Sequence, residues 1–474
     1  MSCTTPFETF QALKMSPWVT SLRKLHYVFP GEADKLLKMA AGLHGLVNHL
    51  GHIKAANIGF ALPLVPMFYG EETSVDKSSW VAAFTGLLNA LIAICSEIEI
   101  SGGEWVQSYY TDSVADAEAT DLQTSELAFL PQANSDEEDA LVLQDGTAPI
   151  QKFENQLAAF HIKSEMLFHP IFGDWTFSTL HGARATLTVL TLNLDSTLTK
   201  TWRSLFTTLD LPMLSKFEIY NINIPGTNSG FVVPSTELLC FLSLHPTIMN
   251  LLLHGVENPP ETPPERPAIL PNLVSISVDP LWLPTILPNN RVELSDAAAN
   301  FQDQHQHLQS IIIHTDLRVM RRKQYDYDFF DVALRTIVDL PAGKGITLRL
   351  RLMSTDGTFD WIEKQAQMGP TQSLLGQISS VHTISIETSR HSPDPRILTT
   401  IVDFVQLLRG VHHVELDSYH NLAPAFTPAK LKELAKTCPK MQTIRYSYSF
   451  GRSPHLVHLR GIDGSSEPAF LDGK

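Results

Sequence analysis

Two imidazoles, His305 and His307, sit one residue apart, and three carboxylates, Asp326, Asp328 and Asp331, follow shortly after them. Imidazole nitrogens and carboxylate oxygens ligate zinc and other divalent ions, and the same groups pass protons in hydrolysis. Their spacing matches no established metal or acid–base motif, and acids at a helix start arise equally well from ordinary helix electrostatics. His412-His413 has the same two readings, with the first ring beside the core and the second facing outward. The sequence has no GxSxG elbow, GxxxxGK[ST] phosphate loop, HExxH helix, GxGxxG turn or EF-hand loop. An enzyme with a His/Asp site at 305–331 is therefore the rival to a non-enzymatic protein, for which no metal or cofactor is expected.

Arg349 and Arg351 alternate, so in a strand both guanidinium groups point the same way and can clamp a carboxylate or phosphate through forked hydrogen bonds. Cys3, Cys95, Cys240 and Cys438 are far apart, without CxxC or metal-type spacing, which implies free thiols in a reducing compartment. Ser135-Asp136-Glu137-Glu138 has the form of an acidophilic kinase site, and the PETPPERP stretch at 260–267 has spacings that SH3-type domains read. A chance acidic run and a turn-rich connector are the preferred readings of these two.

What must position such groups is a repeating element. Thirteen times the chain shows an apolar-x-x-apolar-x-apolar core, from Leu22, Leu25, Tyr27 to Met441, Ile444, Tyr446, at a mean spacing of about 35 residues. The triads starting at Ala55, Leu157 and Gly345 are weak matches. Helix-period segments lie between them. Ile397, Ile401, Val402, Val405 and Leu408 form one face after Asp394-Pro395, Leu431 and Leu434 another after Thr427-Pro428, and Leu238, Leu239 and Leu242 a third between Ser235 and the stop at His245-Pro246. Trp80, Phe84, Leu87, Leu88 and Leu91 form a fourth, and Trp202, Leu205, Phe206 and Leu209 a fifth. Strand alternating with helix at a fixed period predicts an α/β leucine-rich-repeat solenoid, a horseshoe with a parallel β-sheet on the concave side and helices on the convex side.

Successive side chains of a strand point to opposite faces, so the triads also define what faces away from the core. The outward set comprises Glu97 and Glu99; Lys216, Glu218 and Tyr220; His254; Asp279; Arg349 and Arg351; Glu387; Glu415 and Asp417; and Arg445. Thr191, Leu252, Ser277, Ile312, His314, Ser385 and Ser447 share their register, and most positions are polar, which the triads did not require. A broad face of mixed charge suits a protein or peptide ligand; a merely solvated sheet surface is the alternative.

The bulk numbers fit. The 474 residues are 43% hydrophobic and 18% charged, enough for an ordered core. A formal charge of −15 disfavours nucleic acid or an anionic membrane as partner. The N-terminus lacks a secretory signal and no window approaches a membrane span, so cytoplasm or nucleus is expected. Residues 1–21 read as an N-terminal cap and 22–450 as one irregular repeat solenoid. It is interrupted by an acidic insertion at 111–151, without Lys or Arg and expected to be disordered, and by a Pro-rich loop at 258–271. Residues 451–474 read as a flexible tail.

LTVLTLNL (187–194), FLSLHPTIMNLLLHG (241–255), LPNLVSISVD (270–279) and TCPKMQTIRY (437–446) resemble the irregular, ribonuclease-inhibitor-like leucine-rich repeats of fungal F-box proteins. The resemblance covers most of residues 22–450. It implies repeats that select a substrate, behind an F-box that docks a Skp1-type adaptor in a cullin ubiquitin ligase. The segment before Leu22 is too short for an F-box and lacks a Leu-Pro-x-Glu-Ile-like stretch, so a Skp1-type partner is expected only where an F-box lies upstream.

Overall fold

The computed structural model describes residues 13–16, 20–31, 33–61, 77–103, 156–194, 197–221, 232–260, 270–287, 306–315, 327–341, 345–352, 357–388, 396–418, 422–448, 455–459 and 470–472. The chain divides into two compact units, Met1–Leu187 and Thr188–Lys474, where the repeat pattern alone suggests a single run.

The first unit contains β1 (Ser21–Phe29), α1 (Ala33–Val47), β2 (His52–Phe60), α2 (Lys77–Ile94), β3 (Cys95–Ser101), β4 (Ala159–Lys163) and α3 (Pro170–Gly182). Its strands pair in parallel in sequence order. The expected stripe on α2 packs onto the sheet: Trp80 and Phe84 stack at 5.1 Å, Phe60 lies 5.5 Å from Phe84, and Phe29 stacks on Phe60 at 5.1 Å. Burying each such ring contributes roughly 1.5–3 kcal/mol, which is what holds helix to strand.

The second unit continues with β5 (Val189–Asn193), α4 (Thr199–Thr208), β6 (Lys216–Tyr220), α5 (Ser235–Leu244), β7 (Asn250–His254), β8 (Ser275–Val278), the short α6 (Leu283–Ile286), β9 (Ser310–His314) and α7 (Asp328–Val338). After these come β10 (Ile346–Leu352), α8 (Thr358–Gln372), α9 (Leu374–Gln377), β11 (Val381–Thr388), α10 (Ile397–Gln406), β12 (His413–Ser418), α11 (Pro428–Thr437) and β13 (Thr443–Tyr448). β5 to β13 are parallel and in sequence order, each strand bonded to its neighbours within this unit. The helices cover one sheet face, as in the 5.0 Å contact of Phe217 on β6 with Phe241 on α5. In the segment read as a flexible tail, β14 (His455–His458) pairs antiparallel with β13, and β15 (Phe470–Asp472) pairs antiparallel with β14.

Two of the three weak triads are displaced. In β2 the residue in register with Leu22 is Ile53 and that with Leu25 is Ala56, so the repeat starts two residues before Ala55. Ala55 is only half-buried while Ile53 is fully buried. In β10 the core position belongs to Ile346, because a register shift after it aligns Ile346 with Val381, and Gly345 stays exposed. The Leu157 triad is in register and fully buried.

Helix starts follow the sequence where they are described. Thr427 accepts the Lys430 N–H at 3.4 Å and caps α11. Ser235 departs from the expectation: it lies inside α5, and its N–H and hydroxyl donate to Glu257 Oε2 at 3.2 and 3.4 Å. Asp394-Pro395, the acidic insertion 111–151 and residues 261–269 of the Pro-rich loop lie outside the described residues.

Candidate functional site

The sheet face opposite the helices carries the outward set in straight lines across the strands. In the second unit one line runs Thr191, Glu218, Leu252, Ser277, Ile312, Arg349, Ser385, Glu415, Arg445. Toward the strand C-termini, Arg351 aligns with His314 on one side and Glu387 on the other, and Glu387 with Asp417, Asp417 with Ser447. Register places these groups about 4.8 Å apart, so each charge faces its neighbour across the sheet.

Over β10 to β13 the pattern makes a cavity of about 360 Å³ lined by Arg349, Arg351, Ser385, Glu387, Glu415, Leu416, Asp417, Arg445 and Ser447. Arg351 Nε donates to Glu387 Oε2 at 3.1 Å, Arg445 Nη1 lies 3.4 Å from Glu415 Oε1, and Ser447 Oγ donates to Asp417 Oδ1 at 3.1 Å. These pairs are half-exposed, and such pairs contribute about 0–1 kcal/mol each to stability. Arg349 makes no ion pair or hydrogen bond among the described residues. The two arginines expected to form one clamp are thus unequal: Glu387 occupies Arg351 and leaves Arg349 open.

Further along the face, Lys216 Nζ pairs with Glu218 Oε1 at 2.9 Å and Thr191 Oγ1 donates to Glu218 Oε2 at 2.9 Å. Burial and the Glu218 charge push the Tyr220 phenol up, against the opposing pull of Arg351. His254 and Asp279, expected at the surface, are buried, as is His314. The cause is local: His254 and His314, on strands that flank β8, lean toward each other until their rings stack at 4.5 Å beside the Asp279 position. His254 and Asp279 therefore do not belong to the open surface. Thr191, Ser277 and Ser385 are also largely covered.

In the first unit, Glu99 accepts from Asn57 Nδ2 at 3.1 Å and pairs with Lys163 at 3.1 Å, and Glu97 lies 3.7 Å from His161 Nε2. Glu97 remains the more exposed of the two glutamates.

Of the rival cluster, Asp328 and Asp331 serve in packing. Asp331 accepts from Trp361 Nε1 at 3.3 Å and Gln365 Nε2 at 2.9 Å, while Lys364 lies 2.9 Å from Asp328, so both carboxylates join α7 to α8. His307 lies in the turn before β9, whereas His305 and Asp326 fall outside the described residues. Among the described residues no group of three His, Cys, Asp or Glu side chains could hold a metal ion. Cys95 and Cys438 are buried free thiols and Cys240 is exposed; burial pushes the Cys95 thiol up to about 12. No helix among the described residues is long and apolar enough to cross a membrane.

Leu252, Ile312, Ser385 and Ser447 take the register that strand alternation assigns them, in line with the charged groups of the same face. No family model matches the chain, and no curated protein is similar to it. Among solved structures, the leucine-rich repeat-containing protein LegL7 from Legionella pneumophila is similar over 90% of this chain and 92% of that one, at 13% identity and a TM-score of 0.33. A superposition that loose leaves the architecture to be argued from the strands and helices themselves.

Proposed function

We propose that this chain is a non-enzymatic leucine-rich-repeat module that binds a protein or peptide on the open face of its sheet. The observation that carries this reading is the contrast between the two faces: one is apolar and sealed by helices, the other presents ordered rows of charged and polar groups and the Arg349-to-Ser447 cavity. Mixed charges held in register give specificity through complementary pairs more than raw affinity. In a horseshoe this would be the concave side. Glu97, Glu99, Lys216, Glu218, Tyr220, Arg349, Arg351, Glu387, Glu415, Asp417 and Arg445 are the proposed contacts.

The finer reading is a substrate receptor of an F-box ubiquitin ligase, supported by the resemblance of the repeat segments at 187–194, 241–255, 270–279 and 437–446. A stand-alone scaffold with the same face is its alternative. Affinity capture by wild type and by the Arg349→Ala/Arg351→Ala/Glu415→Ala variant tests the face: partners lost only from the variant are expected, and an unchanged set removes this face from the account. A Skp1-type protein among the wild-type partners supports the ligase role, and its absence from a full-length capture favours the scaffold.

A further inference from the structure

On the reading just given, we propose that Arg349, with Leu252 and Ile312, forms a subsite for an extended partner segment carrying one aspartate or glutamate flanked by apolar residues. Three observations support it. First, the cavity holds three guanidinium groups and three carboxylates, yet only Arg349 lacks a partner among the described residues; Arg351 and Arg445 already face Glu387 and Glu415. An incoming cation must displace an arginine from its carboxylate, whereas an incoming carboxylate meets an open, forked donor.

Second, Arg349 stands at the boundary of an apolar patch. It is in register with Ile312 on β9, and Leu252 lies two strands beyond Ile312 in the same line. Both side chains are half-buried on a face that is mostly polar. Strand spacing of about 4.8 Å puts them roughly 5 and 14 Å from Arg349 along the line. An extended segment laid across the strands advances about 3.3 Å per residue, so residues two and four positions from the acid reach the two apolar sites. Third, a formal charge of −15 on the chain opposes a polyanionic ligand and fits recognition of one acidic side chain at a local cation.

The test is selection of a phage-displayed random dodecapeptide library on the full-length protein, followed by affinity measurement with a synthetic consensus peptide. The expected consensus holds one Asp or Glu with apolar residues two and four positions away. Changing that acid to its amide should weaken binding at least tenfold, and so should Arg349→Gln or Arg349→Glu in protein whose melting is unchanged. A consensus without an acid, no consensus at all, or affinity within twofold in both Arg349 variants overturns the subsite. Binding that survives the Arg349 changes but is lost in Ile312→Lys or Glu415→Lys overturns the subsite while leaving the binding face standing; insensitivity to all four overturns both. A phosphoserine version of the peptide separates the two sources of anion, and tenfold tighter binding than the aspartate form overturns the carboxylate assignment.

Discussion

His314 shows how much one side chain's chemistry depends on its surroundings. Burial drives its imidazole down to about 3, with the neighbouring His254 and Arg351 pushing the same way and the Leu253 carbonyl opposing them. Asp279 Oδ1 lies 3.8 Å from its Nε2. His245 is lowered too, mainly by burial. The Leu211 N–H donates to its Nε2 at 2.9 Å and its Nδ1 meets the Phe241 carbonyl at 2.6 Å, so the neutral ring is the one that fits. Because the unfolded chain binds protons at these sites first, stability is full above about pH 6.5 and falls as pH drops toward the folded value, by up to about 1.4 kcal/mol per pH unit for each ring. Denaturation midpoints at pH 7, 6 and 5 should fall more steeply for wild type than for His314→Asn; equal slopes would contradict the assignment. Thiol labelling of the native protein should modify Cys240 and spare Cys95 and Cys438 until denaturant is added. Gly255 has φ +72°, and a Cβ there would lie 1.7 Å from the Asn221 carbonyl oxygen. Gly255→Ala should therefore cost at least about 2 kcal/mol in urea denaturation.

At the scale of elements, the sequence carried most of the information because strand and helix periods are local. The stripes on α2, α10 and α11 are buried as their spacing implies. The Thr427 cap is also as read, and Thr427→Ala should destabilise α11 by about 1 kcal/mol, seen as faster amide exchange in its first turn. Errors arose where one repeat offered two apolar choices or none. His52 to Phe60 contains Ile53, Ala55, Ala56 and Ile58, and only pairing with β1 decides among them. At β10 an extra residue opposite, His382, shifts the ladder and moves the core position from Gly345 to Ile346. Neither a bulge nor the meeting of His254 with His314 across an intervening strand is encoded in spacing, since both depend on neighbours some 35 residues or more away. The unequal fates of Arg349 and Arg351 are of the same kind: alternation places both outward, and Glu387 on the next strand engages only one.

At the scale of the molecule, a stack such as the second unit, in which neighbouring strands of successive repeats bond to one another, should lose structure piecewise. Phe217→Ala, which empties the contact with Phe241, should raise hydrogen exchange in β5 to β7 and leave β11 to β13 protected. A uniform loss across the second unit would contradict that picture. In the second unit the same architecture leaves an open face whose charges are fixed by register, and a partner seated there is its proposed use. Photo-crosslinking tests this most directly, with a benzophenone side chain placed singly at Thr347 or Thr443 on the open face, or at Thr400 on α10. Crosslinks to a common partner from Thr347 and Thr443, absent from Thr400 and competed by the partner's own acidic segment, are the predicted result; crosslinks from Thr400 alone would contradict it.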